Sequence, residues 1–279
     1  MHAAVPARPS VETEAGDAWL CCNGGQMTTL LSLPLRRLAG ACASYLTGAL
    51  LASAAHAAPA PIPDTLAQRL QACTVCHGKD GQAAPDGYRP RIAGKPAGYL
   101  YHQLLNFRDG RRHYGPMVAL VDALPEPYLR EIAEHYAALD LPYAAPPAVL
   151  PAARPPAELL ARGRALALDG DPARKLPACR SCHGQALTGT LPATPGLLGL
   201  PRDYLTGQLG AWHTGQRRAL APDCMAEIVQ RLAPGDISAV SAWLASQPVP
   251  ADAHPRPPGR DAPPLRCGSV VDAGAGGQR

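Results

Sequence analysis

The 279-residue chain holds only four methionines. Two of them, Met1 and Met27, belong to an N-terminal segment that reads as removable, which leaves Met117 and Met225 as the only methionines of the expected mature chain. No block of basic residues is present, which argues against a nucleic-acid partner. The formal net charge of +4 survives loss of residues 1–57, a stretch with three basic and three acidic residues. No run alternates apolar and polar residues as a half-buried strand would, so sandwiches and barrels are excluded in favour of a mostly helical fold. No nucleophile stands out beside a base, which leaves no hydrolytic or transfer site to read. A strong membrane span is also missing: Leu38 to Ala58 has about the length of one, but Ala, Ser and Gly make it weakly apolar.

What is present is the pentapeptide Cys-x-x-Cys-His, twice: Cys73-Thr74-Val75-Cys76-His77 and Cys179-Arg180-Ser181-Cys182-His183. This pattern marks covalent attachment of a c-type haem. Two closely spaced thiols add across the vinyl groups, and the adjacent histidine is held beneath the iron as proximal ligand. The competing readings are half of a zinc site, a joint four-cysteine zinc site, or a dithiol redox pair. Against them stand the histidine directly after each second cysteine, the lack of a strand-to-helix context, and the separation of the copies by a small domain's length. Two covalently bound haem c groups are expected.

Attachment of this kind requires export. Arg36 and Arg37 form a positive region, Leu38 to Leu51 an uncharged, mostly apolar run, and Ala55-His56-Ala57 fits the small-x-small cleavage rule. Residues 27–57 therefore read as a signal peptide cleaved after Ala57, giving a periplasmic protein. Residues 1–26, polar and irregular, read as an over-extended N-terminus. Retention of the segment as an anchor is the rival reading. A lipoprotein site at Cys42 lacks a preceding apolar run, and a twin-arginine route fits poorly with haem attachment after translocation. Of the nine cysteines, Cys21, Cys22 and Cys42 fall in this segment and four serve the haems. Cys224 and Cys267 remain, free to form a disulfide in an oxidising compartment or to stay thiols.

Each motif heads a repeat. Pro90-Arg91-Ile92-Ala93-Gly94-Lys95-Pro96-Ala97-Gly98-Tyr99-Leu100 aligns with Pro195-Gly196-Leu197-Leu198-Gly199-Leu200-Pro201-Arg202-Asp203-Tyr204-Leu205. Gln103-Leu104 then aligns with Gln208-Leu209, and Gly110 with Gly215. Leu129, Ile132, Ala133 and Tyr136 show the spacing of one helix face, and Ile237, Val240, Ser241 and Leu244 repeat it, after Pro125 and Pro234 respectively. The expected fold is all-α, two tandem one-haem domains at 58–140 and 157–248. A stiff Pro-rich linker at 141–156 joins them, and 249–279 reads as a disordered tail.

A histidine-ligated iron has one further axial position, and methionine there raises the potential and closes the metal to substrate. Met117 follows His77 by forty residues and Met225 follows His183 by forty-two, both at one interval before the last helix of their half. Equivalent repeat positions point to both as axial ligands rather than core filler. The second ligand loop departs from the first. Arg217 to Met225 spans eight residues against five from Arg112 to Met117, and Cys224 stands where Pro116 does. Cys224 is thus a rival ligand, as are His113 and His213. His102 and His135 read as ordinary helix-face histidines. Arg111, Arg112, Arg217 and Arg218 suit haem propionates, with solvated loop charges as the alternative. Tyr99 and Tyr204 either reach a propionate or pack.

Two Cys-x-x-Cys-His units, each followed by Pro-x-(Ile/Leu)-x-Gly, Tyr-Leu-x-x-Gln-Leu, Gly-(x)-Arg and a methionine before a final helix, resemble the dihaem class I cytochromes c of the cytochrome c4 type. The likeness covers roughly 66–247. It implies two cytochrome c folds with neighbouring haems, periplasmic and soluble or peripherally membrane-associated. It also implies electron transfer from a quinol-oxidising complex or dehydrogenase to a terminal oxidase or other acceptor. The alternative is a haem subunit of a periplasmic oxidoreductase, or such an enzyme itself, for example a dihaem thiosulfate-oxidising enzyme; thiolate ligation by Cys224 would favour it.

Overall fold

A computed structural model describes residues 65–84, 86–143, 154–259 and 262–270. Residues 1–26, the segment 27–57 expected to be a signal peptide, the middle of the linker and the last nine residues lie outside the described residues. The described residues form two helical lobes, each around its own apolar core.

In the first lobe α1 (Leu66–Arg69) and α2 (Gln71–His77) follow one another almost without a break. The Thr65 and Gln68 side chains exchange hydrogen bonds with each other's main-chain amides and so cap the start. Then come α3 (Ala97–Arg108), α4 (Gly115–Val121) and α5 (Glu126–Ala137). The second lobe runs α6 (Ala157–Leu168), α7 (Arg180–His183), α8 (Arg202–His213), α9 (Cys224–Gln230) and α10 (Pro234–Ser246). Prolines mark many starts: Pro96, Pro125, Pro156 and Pro201 precede helices, and Pro234 opens one. Proline's fixed φ suits these positions, and its missing N–H costs nothing where no intrahelical acceptor exists.

The two expected helix faces are buried. Leu129, Ile132, Ala133 and Tyr136 pack α5 onto α3, and Ile237, Val240, Ser241 and Leu244 turn α10 toward α6 and α8. The only paired strands among the described residues are β1 (Gly189–Thr190) and β2 (Thr194–Pro195), two residues each. The expected mostly helical, two-lobed architecture therefore holds among the described residues.

The tail differs from the sequence reading, and the linker is tethered at its start. The start of the linker is anchored: the Arg91 guanidinium donates to the carbonyls of Leu141 and Pro142 and stacks 4.1 Å from the Tyr143 ring centre. Residues 249–259 and 262–270, expected to be disordered, are laid on the second lobe. The Leu191 amide donates to the Arg256 carbonyl (2.8 Å) and the Arg256 amide to that of Gly189 (3.0 Å). Farther on, Cys267 is bonded to Cys224. Main-chain pairing and a covalent tie hold this stretch where side-chain periodicity offers nothing to detect.

Candidate haem-binding sites

The motif helices present their sulfurs by simple geometry. Cys73 and Cys76 lie three apart on α2, as do Cys179 and Cys182 at α7, so each pair shares a helix face. Burial pushes the Cys73 and Cys182 thiols up, and Cys179 up to about 11. Straight after each histidine the chain turns left-handed, at Gly78 (φ 75°) and Gly184 (φ 83°). A Cβ on Gly78 would stand 2.3 Å from the Ala83 carbonyl oxygen, so only glycine releases the helix there.

His77 Nδ1 lies 2.9 Å from the Pro90 carbonyl oxygen, and His183 Nδ1 lies 2.7 Å from that of Pro195. A carbonyl only accepts, so Nδ1 carries the hydrogen and Nε2 keeps its lone pair, the arrangement a metal-ligating imidazole needs. Burial lowers both histidine pKa values; the proline carbonyls work the other way, while Arg112 and Arg89 beside His77 and Lys95 near His183 add to the lowering. The balance in both rings is toward the neutral form. The sequence repeat begins on this pair of prolines, but nothing in their identity announces that their carbonyls orient the histidines.

One continuous cavity of about 750 Å³ runs through both lobes, and Cys73, Cys76, His77 and Met117 line it together with Cys179, Cys182, His183 and Met225. Met117 sits on α4 against the first core and Met225 on α9 against the second, so both come from short helices rather than from the expected loops. Of the rival ligands, His113 and His213 are exposed. His102 and His135 lie on α3 and α5. Cys224 has its sulfur bonded to Cys267, 2.07 Å away, and so has no thiolate to offer an iron.

Where the lobes meet, repeat-equivalent residues form a symmetric cage. Arg112 donates to Gln103 Oε1 of its own lobe (3.0 Å) and to Gln208 Oε1 across the interface (2.6 Å). Arg217 does the reverse, to Gln208 (2.8 Å) and to Gln103 (2.9 Å). Arg112 also reaches the Tyr204 hydroxyl at 3.4 Å, and Arg217 that of Tyr99. Beside the cage the backbones pair: the His113 amide donates to the Gln216 carbonyl (3.1 Å) and the Arg218 amide to that of Arg111 (2.6 Å). Burial pushes the Arg217 guanidinium down to about 10, with the Arg112 charge adding to the effect. Lys95, also buried, points at the second lobe's Gly196 carbonyl (3.4 Å). Arg112, Arg217 and Lys95 all line the cavity, a cationic junction suited to carboxylates. The other two arginines are engaged elsewhere, Arg111 with Asn106 and Asp109, Arg218 with the Gly110 carbonyl. The linking role of Gln103 and Gln208 was visible in the sequence only as an aligned pair.

The donor set fits a covalently held haem in each lobe: paired thiols, a neutral histidine tied at Nδ1, a thioether, apolar walls and cations for propionates. No protein-family model matches the chain. A thiosulfate dehydrogenase electron acceptor of Thiomonas intermedia is 34% identical over 218 residues, 78% of this chain and 94% of that protein. A cytochrome c4 of Pseudomonas aeruginosa is 31% identical over 176 residues, 62% of this chain and 82% of that protein. Among solved structures, thiosulfate dehydrogenase (TsdBA) from Marichromatium purpuratum matches with a TM-score of 0.55 and 34% identity, over 63% of this chain and 36% of that one.

Proposed function

Because the chain belongs to the dihaem cytochromes c of the cytochrome c4 type, electron-transfer proteins with two covalently bound haem c groups, we propose a residue-level assignment and a donor. Cys73 and Cys76 attach the first haem and Cys179 and Cys182 the second. His77 with Met117, and His183 with Met225, would supply the protein ligands to the two irons. Arg112, Arg217, Tyr99 and Tyr204 face the propionates. The observation that carries this reading is the delivery of two thiols, an oriented histidine and a methionine by each lobe to one cavity.

A bound haem c supplies a one-electron ferric/ferrous couple. The protein's share is to hold and tune it. Tied imidazoles offer Nε2 in a fixed orientation, the methionine sulfurs would occupy the position a substrate needs, and apolar walls would keep water away and so favour the less charged ferrous state. The likeness to thiosulfate dehydrogenase electron acceptors supports such a dehydrogenase as donor, with a terminal oxidase or another periplasmic carrier taking the electrons onward. The catalytic alternative leaned on a Cys224 thiolate, and that sulfur is in a disulfide.

A redox titration followed by visible spectroscopy tests the assignment. Two haems are expected, both with the methionine-to-ferric-iron band, and Met117→Ala and Met225→Ala should each remove one share of it. Reduction of the oxidised protein by thiosulfate should require a thiosulfate dehydrogenase; a rate unchanged by the dehydrogenase would overturn the donor assignment.

A further inference from the structure

The two lobes repeat each other until the methionine helices, where, among the described residues, the second acquires a tail segment with no counterpart in the first. Leu265, Cys267, Ser269 and Val270, contributed by the tail, line the cavity that Met225 also lines. Cys267 is bonded to Cys224, the first residue of α9 and the neighbour of Met225. The Gly268 amide donates to the Pro222 carbonyl at 3.0 Å. A Cβ on Gly268 would stand 2.2 Å from the Ala221 carbonyl oxygen, so the tail backbone lies flush on the extra residues of the longer ligand loop. Asp223 closes that loop, accepting from the amides of Ala219 (2.6 Å) and Ala226 (3.0 Å).

The effect shows in exposure. Around Met117, Tyr114, Gly115, Pro116 and Leu120 are exposed. Around Met225, Asp223, Cys224 and Ile228 are half-buried, and Ile228 stands at the same offset from its methionine as the 41% exposed Leu120 does. A seven-residue helix has little stability of its own and depends on what holds it.

We propose that the tail segment 262–270, through the Cys224–Cys267 bond, is the positioning element that keeps Met225 seated and walls the second site against external ligands. This rests on the assignment of Met225 as axial ligand. Among the described residues no disulfide ties the helix of Met117, whose entering segment is instead paired through the His113 amide with the Gln216 carbonyl of the second lobe. The two haems of one chain thus differ in how readily their sixth ligand is displaced, the second being the closed one.

The test uses the processed holoprotein and imidazole as the competing ligand. In the reduced protein each methionine-ligated haem gives one ring-shifted methionine methyl resonance, assigned with M117A and M225A, and in the oxidised protein each site's imidazole uptake is followed optically. The wild type should take up imidazole first at the haem of His77. In C224S/C267S, and separately in a chain stopped after residue 261, the second site should bind imidazole at least about tenfold more tightly, equivalent to about 1.4 kcal/mol of lost restraint. Failing that, its Met225 resonance should broaden or vanish while that of Met117 stays. If both variants keep the wild-type resonances and titration while M225A abolishes the second resonance, the tail proposal is wrong and the ligand assignment stands. If M225A leaves both resonances in place, the assignment is wrong and the proposal goes with it. The Met117 resonance is the internal control for folding.

Discussion

Replacing Gln103 by leucine keeps the volume of a side chain at the lobe interface but deletes an acceptor that two arginines share. Arg112 then loses its 3.0 Å bond and Arg217 its 2.9 Å bond, Arg112 retaining Gln208 and the Tyr204 hydroxyl and Arg217 retaining Gln208 and that of Tyr99. A hydrogen bond to a charged donor contributes about 1.5–3 kcal/mol, and a buried donor left bare costs its desolvation. Two such losses amount to about 3–6 kcal/mol. Residual water access to the half-buried Arg112 puts the expectation at the lower end, about 3 kcal/mol. Urea denaturation of the holoprotein measures it, and a cycle with Gln208→Leu isolates the coupling, since both glutamines serve both guanidinium groups. A loss below about 1 kcal/mol, or additivity of the two substitutions within about 0.5 kcal/mol, would refute the view that this cage fastens the lobes.

Leu129→Ala and Leu244→Ala, at fully buried positions of separate cores, should each cost about 2–5 kcal/mol in chemical denaturation; a cost under 1 kcal/mol would contradict the packing. Burial pushes the Asp236 carboxyl up, but hydrogen bonds from Arg162 and Arg174 outweigh it and hold its pKa below the ordinary 3.8. A depressed carboxylate contributes stability that is present above pH 3.8 and lost as pH falls through the lower folded value, so melting temperature should drop more steeply below that pH in the wild type than in Asp236→Asn. Gly78→Ala forces a left-handed turn and a 2.3 Å approach on a residue with a Cβ, and should reduce haem incorporation at the first site, read as a fall in haem-to-protein absorbance ratio.

Much of the site was legible because its chemistry is local. The thiol spacing and adjacent histidine follow from covalent attachment, and prolines and periodic apolar residues mark helices wherever a face is buried. Met117 and Met225, singled out by scarcity and register together, both line the cavity. The cross-lobe cage was half legible: aligned glutamines and arginines stood out, but arginine read as a propionate partner alone gives no hint of a bond to the other lobe's glutamine. The tail was misread because residues held by main-chain pairing and one disulfide need no apolar periodicity.

By itself, then, the amino-acid order determined that this protein holds two haems in a repeated helical unit, since covalent spacing and helix periodicity are properties of neighbours along the chain. Tertiary structure alone decided which carbonyl orients each histidine, how the two halves fasten, and that Cys224 is tied to Cys267 rather than left as a thiolate. Those outcomes depend on residues distant in sequence reaching within a few ångströms of each other, and on burial, which no single residue's identity specifies.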